Sequence, residues 1–333
     1  MKAKSTNQSI LFTNPIVIAL ITAVIILGGG ILFILSNNKT SNSSASRAPQ
    51  LQTESETETM VNPQYGHVHA LFKVPGTNTF LMGTHKGLFQ SLDNGKTFTQ
   101  AEAKGVMQDM EFMNFAYDPN TETLFAGGHD LGVVKSMDNG VTWEKADSGI
   151  TGKDIHALAI NSLDTKKVYA FSVGMGVFGS QDGGKSWNRI DDGPANPSVR
   201  SFGYMATASD MDRSMGTDKT SNIGYLWAGT GGGLFSSFAC FCGWTKTEGI
   251  SSNATIYTLA PDPVNKSSML AGTKDGIYKT TDEGKNFTQV SKDIKNVAAI
   301  TFDEKNQTTV YAVTEDGIIY KSMDSGNTWN TLQ

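Results

Sequence analysis

Cysteine is nearly absent from this chain of 333 residues. Cys240 and Cys242 are the only two, too few to build a disulfide framework. Charge is sparse as well: 18% of residues are Asp, Glu, Lys or Arg, and the balance of −5 leaves no basic footprint, which argues against nucleic acid as a partner. Beyond Arg47 the arginines are Arg189, Arg200 and Arg213, and histidine stops at His156. Glycine is plentiful, with 35 copies, which suits many short strands joined by tight turns.

An eight-residue phrase recurs at Ser91 to Phe98, Ser136 to Trp143, Ser180 to Trp187, Thr280 to Phe287 and Ser322 to Trp329. Each copy reads Ser/Thr, any, Asp, any, Gly, any, Thr/Ser/Asn, aromatic. The aspartates are Asp93, Asp138, Asp182, Asp282 and Asp324, so one interval is about twice the others, as a repeat of roughly 45 residues with one decayed copy requires. That copy is visible at Ser237 to Trp244, where Ala239 replaces the aspartate. Around each phrase lie four short apolar runs, in the first unit 67–74, 79–84, 87–91 and 98–101, and in the fifth 256–260, 269–273, 276–280 and 287–290. Four antiparallel strands per unit, repeated six times, predict an all-β, six-bladed β-propeller over residues 65–333. The phrase falls on the turn between third and fourth strands. There the Asp side chain can accept backbone N–H bonds, the Gly supplies φ > 0, and the aromatic packs between blades. These aspartates are read as structural.

The phrase resembles the Asp-box, or bacterial neuraminidase repeat, shared by sialidases, sortilin-type receptors, certain glucanases and a photosystem II assembly factor. That resemblance covers nearly all of residues 65–333 and implies the propeller; it implies no single activity, because the superfamily holds hydrolases and binding proteins. His67-Val-His69-Ala-Leu71 and Thr84-His85-Lys-Gly87-Leu88 look like segments of bacterial membrane-tethered, glycosyl hydrolase-like Asp-box proteins. Sialidases of this kind need an arginine triad. Arg189 falls on an outer strand and Arg213 in the long 209–222 insertion, so a triad is not expected to assemble.

The N-terminus has a different character. Pro15 to Leu35 carries no charge and, at roughly 1.5 Å per residue, can cross about 30 Å of hydrocarbon as a helix. Residues 1–14 are expected in the cytoplasm, 15–35 as an uncleaved transmembrane signal anchor, and 36–64 as a disordered Ser/Thr/Asn/Glu-rich stalk. A cleaved signal peptide with a site near Ala45 is the alternative. The propeller would then stand outside the cell, attached to the cell membrane by a single pass.

In such a fold the first strand of each blade starts at one rim, here the top. The loop between second and third strands returns to that rim. His67 and His69 open blade 1, and Asp154-Ile-His156 opens blade 3. His85 and His129 occupy the hairpins of blades 1 and 2, and Asp109-Met-Glu111 takes the equivalent place in blade 2. Five histidines with Asp109, Glu111 and Asp154 nearby form a candidate site for a divalent transition metal, zinc or copper, or for a polar ligand. The favoured reading is a binding or assembly module for a protein or glycan. The alternative is a glycoside hydrolase using Asp109, Glu111 and Asp154, since such enzymes need two carboxylates roughly 5–9.5 Å apart. A third reading makes the rim a flat docking surface. Gly229 to Gly233 joins two strands rather than opening a helix, so no nucleotide is expected.

Overall fold

The computed structural model describes residues 62–206, 224–238, 241 and 243–332. The expected transmembrane segment, nearly all of the stalk, the 209–222 insertion, Arg213, Ala239, Cys240 and Cys242 lie outside the described residues. Among those described, no helix is long and apolar enough to cross a membrane.

Twenty-four strands form six antiparallel sheets of four. Blade 1 is β1 Val68–Lys73, β2 Phe80–Thr84, β3 Gly87–Ser91 and β4 Thr99–Gln100. Blade 2 is β5 Asn114–Asp118, β6 Thr123–Gly128, β7 Gly132–Ser136 and β8 Glu144–Lys145, and blade 3 is β9 Ile155–Ile160, β10 Val168–Ser172, β11 Gly176–Ser180 and β12 Asn188–Asp191. Blade 4 is β13 Val199–Ala206, β14 Gly224–Thr230, β15 Gly233–Phe238 and β16 Thr245–Thr247. Blade 5 is β17 Ile256–Pro261, β18 Met269–Thr273, β19 Ile277–Thr280 and β20 Thr288–Ser291, and blade 6 is β21 Val297–Phe302, β22 Val310–Thr314, β23 Ile319–Ser322 and β24 Asn330–Thr331. The strands of blades 1 and 5 fall within two residues of the runs read from the sequence. First strands neighbour one another around the ring, so they line the central channel.

Apolar residues run almost without break along the inner strands, as in β2, β6 and β10, and leave both sheet faces hydrophobic, so each face must be buried against the next blade. The core accordingly consists of six wedges, one between each pair of neighbouring blades. The closing aromatic of every phrase enters the wedge in front of its own blade. Trp143 sits between blades 1 and 2, and Trp187 between 2 and 3. Trp244 of the decayed copy keeps this place between blades 3 and 4, stacked on Phe202 at 6.0 Å.

The phrase builds its turn from its own atoms. In the first copy Ser91 Oγ donates to Asp93 Oδ1 at 2.8 Å and accepts from the Gly95 N–H at 2.8 Å, while Asp93 Oδ1 accepts from the Thr97 N–H at 2.9 Å. The Thr97 N–H and hydroxyl beside Asp93, and the Asn286 N–H and side-chain amide beside Asp282, hold both carboxyls down to about 2. Carboxylates so committed to their own turns make poor proton donors near neutrality, which agrees with a structural role. The residue before each glycine is left-handed too, as at Asn94 (φ 63) and Asn139 (φ 60).

Among the described residues the ring closes without a strand borrowed from another blade. β1 and β21 meet directly, and Phe80 packs edge-on against Tyr311 at 4.8 Å. Residues 62–66 fold into a turn across this seam instead. The Asn62 side-chain amide donates to the Asp316 carbonyl at 3.3 Å, and Tyr65 packs against Phe89 at 5.5 Å.

Candidate functional site

β2 ends and β3 begins at the rim where β1 starts, so the His85 hairpin stands beside His67 and His69. The His85 ring lies 4.3 Å from that of His69 and 5.3 Å from that of His67. Glu111 carries the cluster on to blade 2: its Oε2 is 3.9 Å from His85 Nε2 and 3.6 Å from His129 Nε2. Asp154 continues it to blade 3, with Oδ1 2.7 Å from His129 Nδ1 and 3.0 Å from His156 Nε2. Two carboxylates thereby link His85, His129 and His156, and His67 and His69 join them through the His85 ring. His129, Asp154 and His156 offer three ligand atoms that all lie within 4.8 Å of one another.

Asp109 does not join them. Sequence spacing put 109–111 at the start of blade 2's first strand, but β5 begins at Asn114 and Asp109 is exposed in the turn ahead of it. That turn points Asp109 to solvent, while Glu111, next to the buried Phe112, faces the histidines.

The electrostatics favour lone pairs over charge. Burial, followed by the surrounding imidazoles, pushes His69 down to about 3. Burial also lowers His156 against the pull of Asp154, and partial burial lowers His85 against that of Glu111. Asp154 Oδ1, His156 Nε2 and His69 Nε2 are buried with no hydrogen-bond partner. For Asp154 Oδ1 this holds although His129 Nδ1 lies 2.7 Å and His156 Nε2 3.0 Å away, because both contacts are close but neither is aligned as N–H···O. Buried donors and acceptors are normally satisfied, so three orphans in one cluster suit a group that accepts lone pairs. Neutral imidazoles with a carboxylate fit zinc or copper.

No protein-family model matches the chain. A curated xyloglucanase of Hypocrea jecorina (strain QM6a) is 27% identical over 138 residues, which is 39% of this chain and 16% of that enzyme. Among solved structures, the GH74 xyloglucanase of Xanthomonas campestris superposes with a TM-score of 0.51 at 18% identity, covering 79% of this chain and 46% of that one. The GH74 enzyme of Niastella koreensis gives 0.54 at 14% identity, covering 80% and 45%. The chain spans less than half the length of each of these proteins. What is shared is the β-propeller.

Within that propeller one set of positions went unread in the sequence. In blades 1, 3, 4, 5 and 6 the pairing of first and second strands slips by a residue at the second position of the first strand. The residues at these bulges are His69, His156, Arg200, Tyr257 and Ala298, and Met113 takes the equivalent place just ahead of β5. Each follows a buried apolar residue: Val68, Phe112, Ile155, Val199, Ile256 or Val297. Together with Glu315 they line a cavity of about 130 Å³ at the channel mouth. Aligning the repeats on those buried apolar residues would have found the ring.

Proposed function

We propose that this chain is an extracytoplasmic binding module, tethered by residues 15–35, that takes up a divalent transition metal on the top rim of blades 1–3. His129, Asp154 and His156 would hold the ion, with Glu111, His85, His69 and His67 alongside. The observation that carries this reading is the convergence of three histidines from three blades, His85, His129 and His156, on two carboxylates, with His67 and His69 packed beside His85. A bound zinc or copper would act as a Lewis acid or as a bridge to a protein or glycan partner. The repeated phrase supports the finer placement of the fold among Asp-box propellers.

The full-length chain should bind one equivalent of zinc or copper in titration calorimetry. His129→Ala and His156→Ala should each weaken uptake by more than about tenfold, given that even outer-shell partners are worth that much. Absence of stoichiometric metal in wild-type protein would overturn the reading. The anchor is supported by the uncharged run Pro15 to Leu35 and is tested by carbonate washing of membranes: release of the intact chain would refute it.

A second reading, a glycoside hydrolase, is favoured by the similarity to xyloglucanases. It would rest on Glu111 and Asp154, with Asp109 outside. Against it, the two carboxylates approach opposite nitrogens of the same His129 ring, which stands in the space a glycosidic oxygen would need. Sugar release from xyloglucan that vanishes in Asp154→Asn would decide for the hydrolase.

A further inference from the structure

The channel mouth has a second wall that the histidine cluster does not use. Arg200, Tyr257 and Glu315 come from blades 4, 5 and 6 and face the cavity of about 130 Å³ across from His69 and His156. The Arg200 guanidinium lies over the Tyr257 ring, 5.2 Å from its centroid. Burial raises the Glu315 carboxyl against the pull of His67 and Arg200, yet among the described residues no ion pair joins Glu315 to Arg200 or engages either elsewhere.

Both groups stand on fixed backbone. The Glu315 N–H donates to the Asn296 carbonyl at 2.9 Å, and the Glu315 carbonyl accepts from the Val68 N–H at 3.1 Å. Arg200 is the bulged residue between Val199 and Ser201 in β13. One positive and one negative group are therefore held apart across a small cavity rather than collapsed on each other. A simple anion entering here would meet Glu315, and a simple cation would meet Arg200. A ligand carrying both charges would satisfy each wall.

We infer that the channel mouth binds a small zwitterion, a free α-amino acid with a short side chain, its carboxylate on Arg200 and its ammonium on Glu315. A planar guanidinium offers a carboxylate two parallel N–H donors, and a carboxylate accepts from an ammonium group. His69 Nε2, buried without a partner, faces the same cavity and adds a polar contact. Val68, Met113 and Ala298 supply the apolar wall for the side chain, and the cavity leaves room for glycine or alanine but not for an aromatic residue.

Titration calorimetry of the full-length chain with glycine and L-alanine tests it, with acetate, methylamine and L-tryptophan as controls. Glycine and alanine should bind at least about tenfold more tightly than any control, since each control lacks one charge or exceeds the cavity. Arg200→Gln and Glu315→Gln should each weaken glycine binding by about tenfold or more, while circular dichroism reports an unchanged fold. Three results would overturn the proposal: no binding of glycine or alanine by folded wild-type protein, acetate binding as well as glycine, or both variants binding glycine like wild type. Zinc uptake is read in the same samples, so failure of the rim metal and failure of the zwitterion site are told apart.

Discussion

Two successive left-handed residues shape each repeated turn, and their neighbours make them unequal. In blade 3 these are Gly183 (φ 72) and Gly184 (φ 77). A Cβ on Gly183 would meet nothing within 4 Å, whereas one on Gly184 would come 2.6 Å from Phe125 of the preceding blade. Gly184→Ala therefore combines left-handed strain with overpacking and should cost about 2–4 kcal/mol. Gly183→Asn, which copies Asn94 and Asn139 in the sister turns, should stay within about 0.5 kcal/mol of wild type. Urea denaturation of the two variants measures the contrast. The first left-handed position was hidden in the sequence because Asn, Gly, Glu and Ser all occupy it, so no residue type marks it. Asp109 was misplaced for a related reason: spacing locates a segment to a rim, but the turn decides which of two nearby acids faces inward.

At the scale of the strand and blade, hydrophobic spacing was a sufficient guide. Buried runs bounded by Gly and Asp placed β1 to β3 and β17 to β19 to within two residues, and the repeated phrase placed the exposed β4 and the partly exposed β20 just after its closing aromatic. The closing aromatics carry the contact between blades. Trp187 is buried and its indole N–H donates to the Ala146 carbonyl of blade 2 at 2.7 Å. Trp187→Ala should lower stability by about 3–5 kcal/mol. Trp187→Phe should keep most of the packing and lose about 1–3 kcal/mol through the orphaned carbonyl. Chemical denaturation followed by circular dichroism separates the two. Arg200, Tyr257 and Glu315 escaped notice at this scale because a one-residue bulge is a property of the pairing between strands, which apolar spacing does not reveal.

For the whole ring, the seam between blades 6 and 1 is the one joint that chain continuity does not secure. Side chains hold it: Phe80 against Tyr311, and the turn at residues 62–66 laid across both blades. A Cβ on Gly317 would come 2.6 Å from the Tyr65 ring, so Tyr65 fits closely over the blade 6 hairpin. Tyr65→Ala should weaken this joint by about 1–2 kcal/mol, which speeds amide exchange in β1 and β22 by roughly 5- to 30-fold while the seam of blades 3 and 4 keeps its rate. Equal acceleration at every seam would show that the ring opens only as a unit. Nothing in the repeat pattern foretold this, because the contact joins the two ends of the ring.

The bulges have a bearing on how this scaffold can change. At each of the six mouth positions the preceding side chain is buried and anchors the blade, while the mouth residue lines the channel; Ala298 alone is also packed into the wedge between blades 6 and 1. Recognition and foldedness are thus assigned to adjacent but separate residues. Randomising His69, Met113, His156, Arg200 and Tyr257 together would leave the wedges between blades untouched, so a library built there should yield mostly folded proteins of divergent ligand preference. The propeller then acts as a frame with five exchangeable contacts, and a lineage could change its ligand by single steps without first acquiring stabilising mutations.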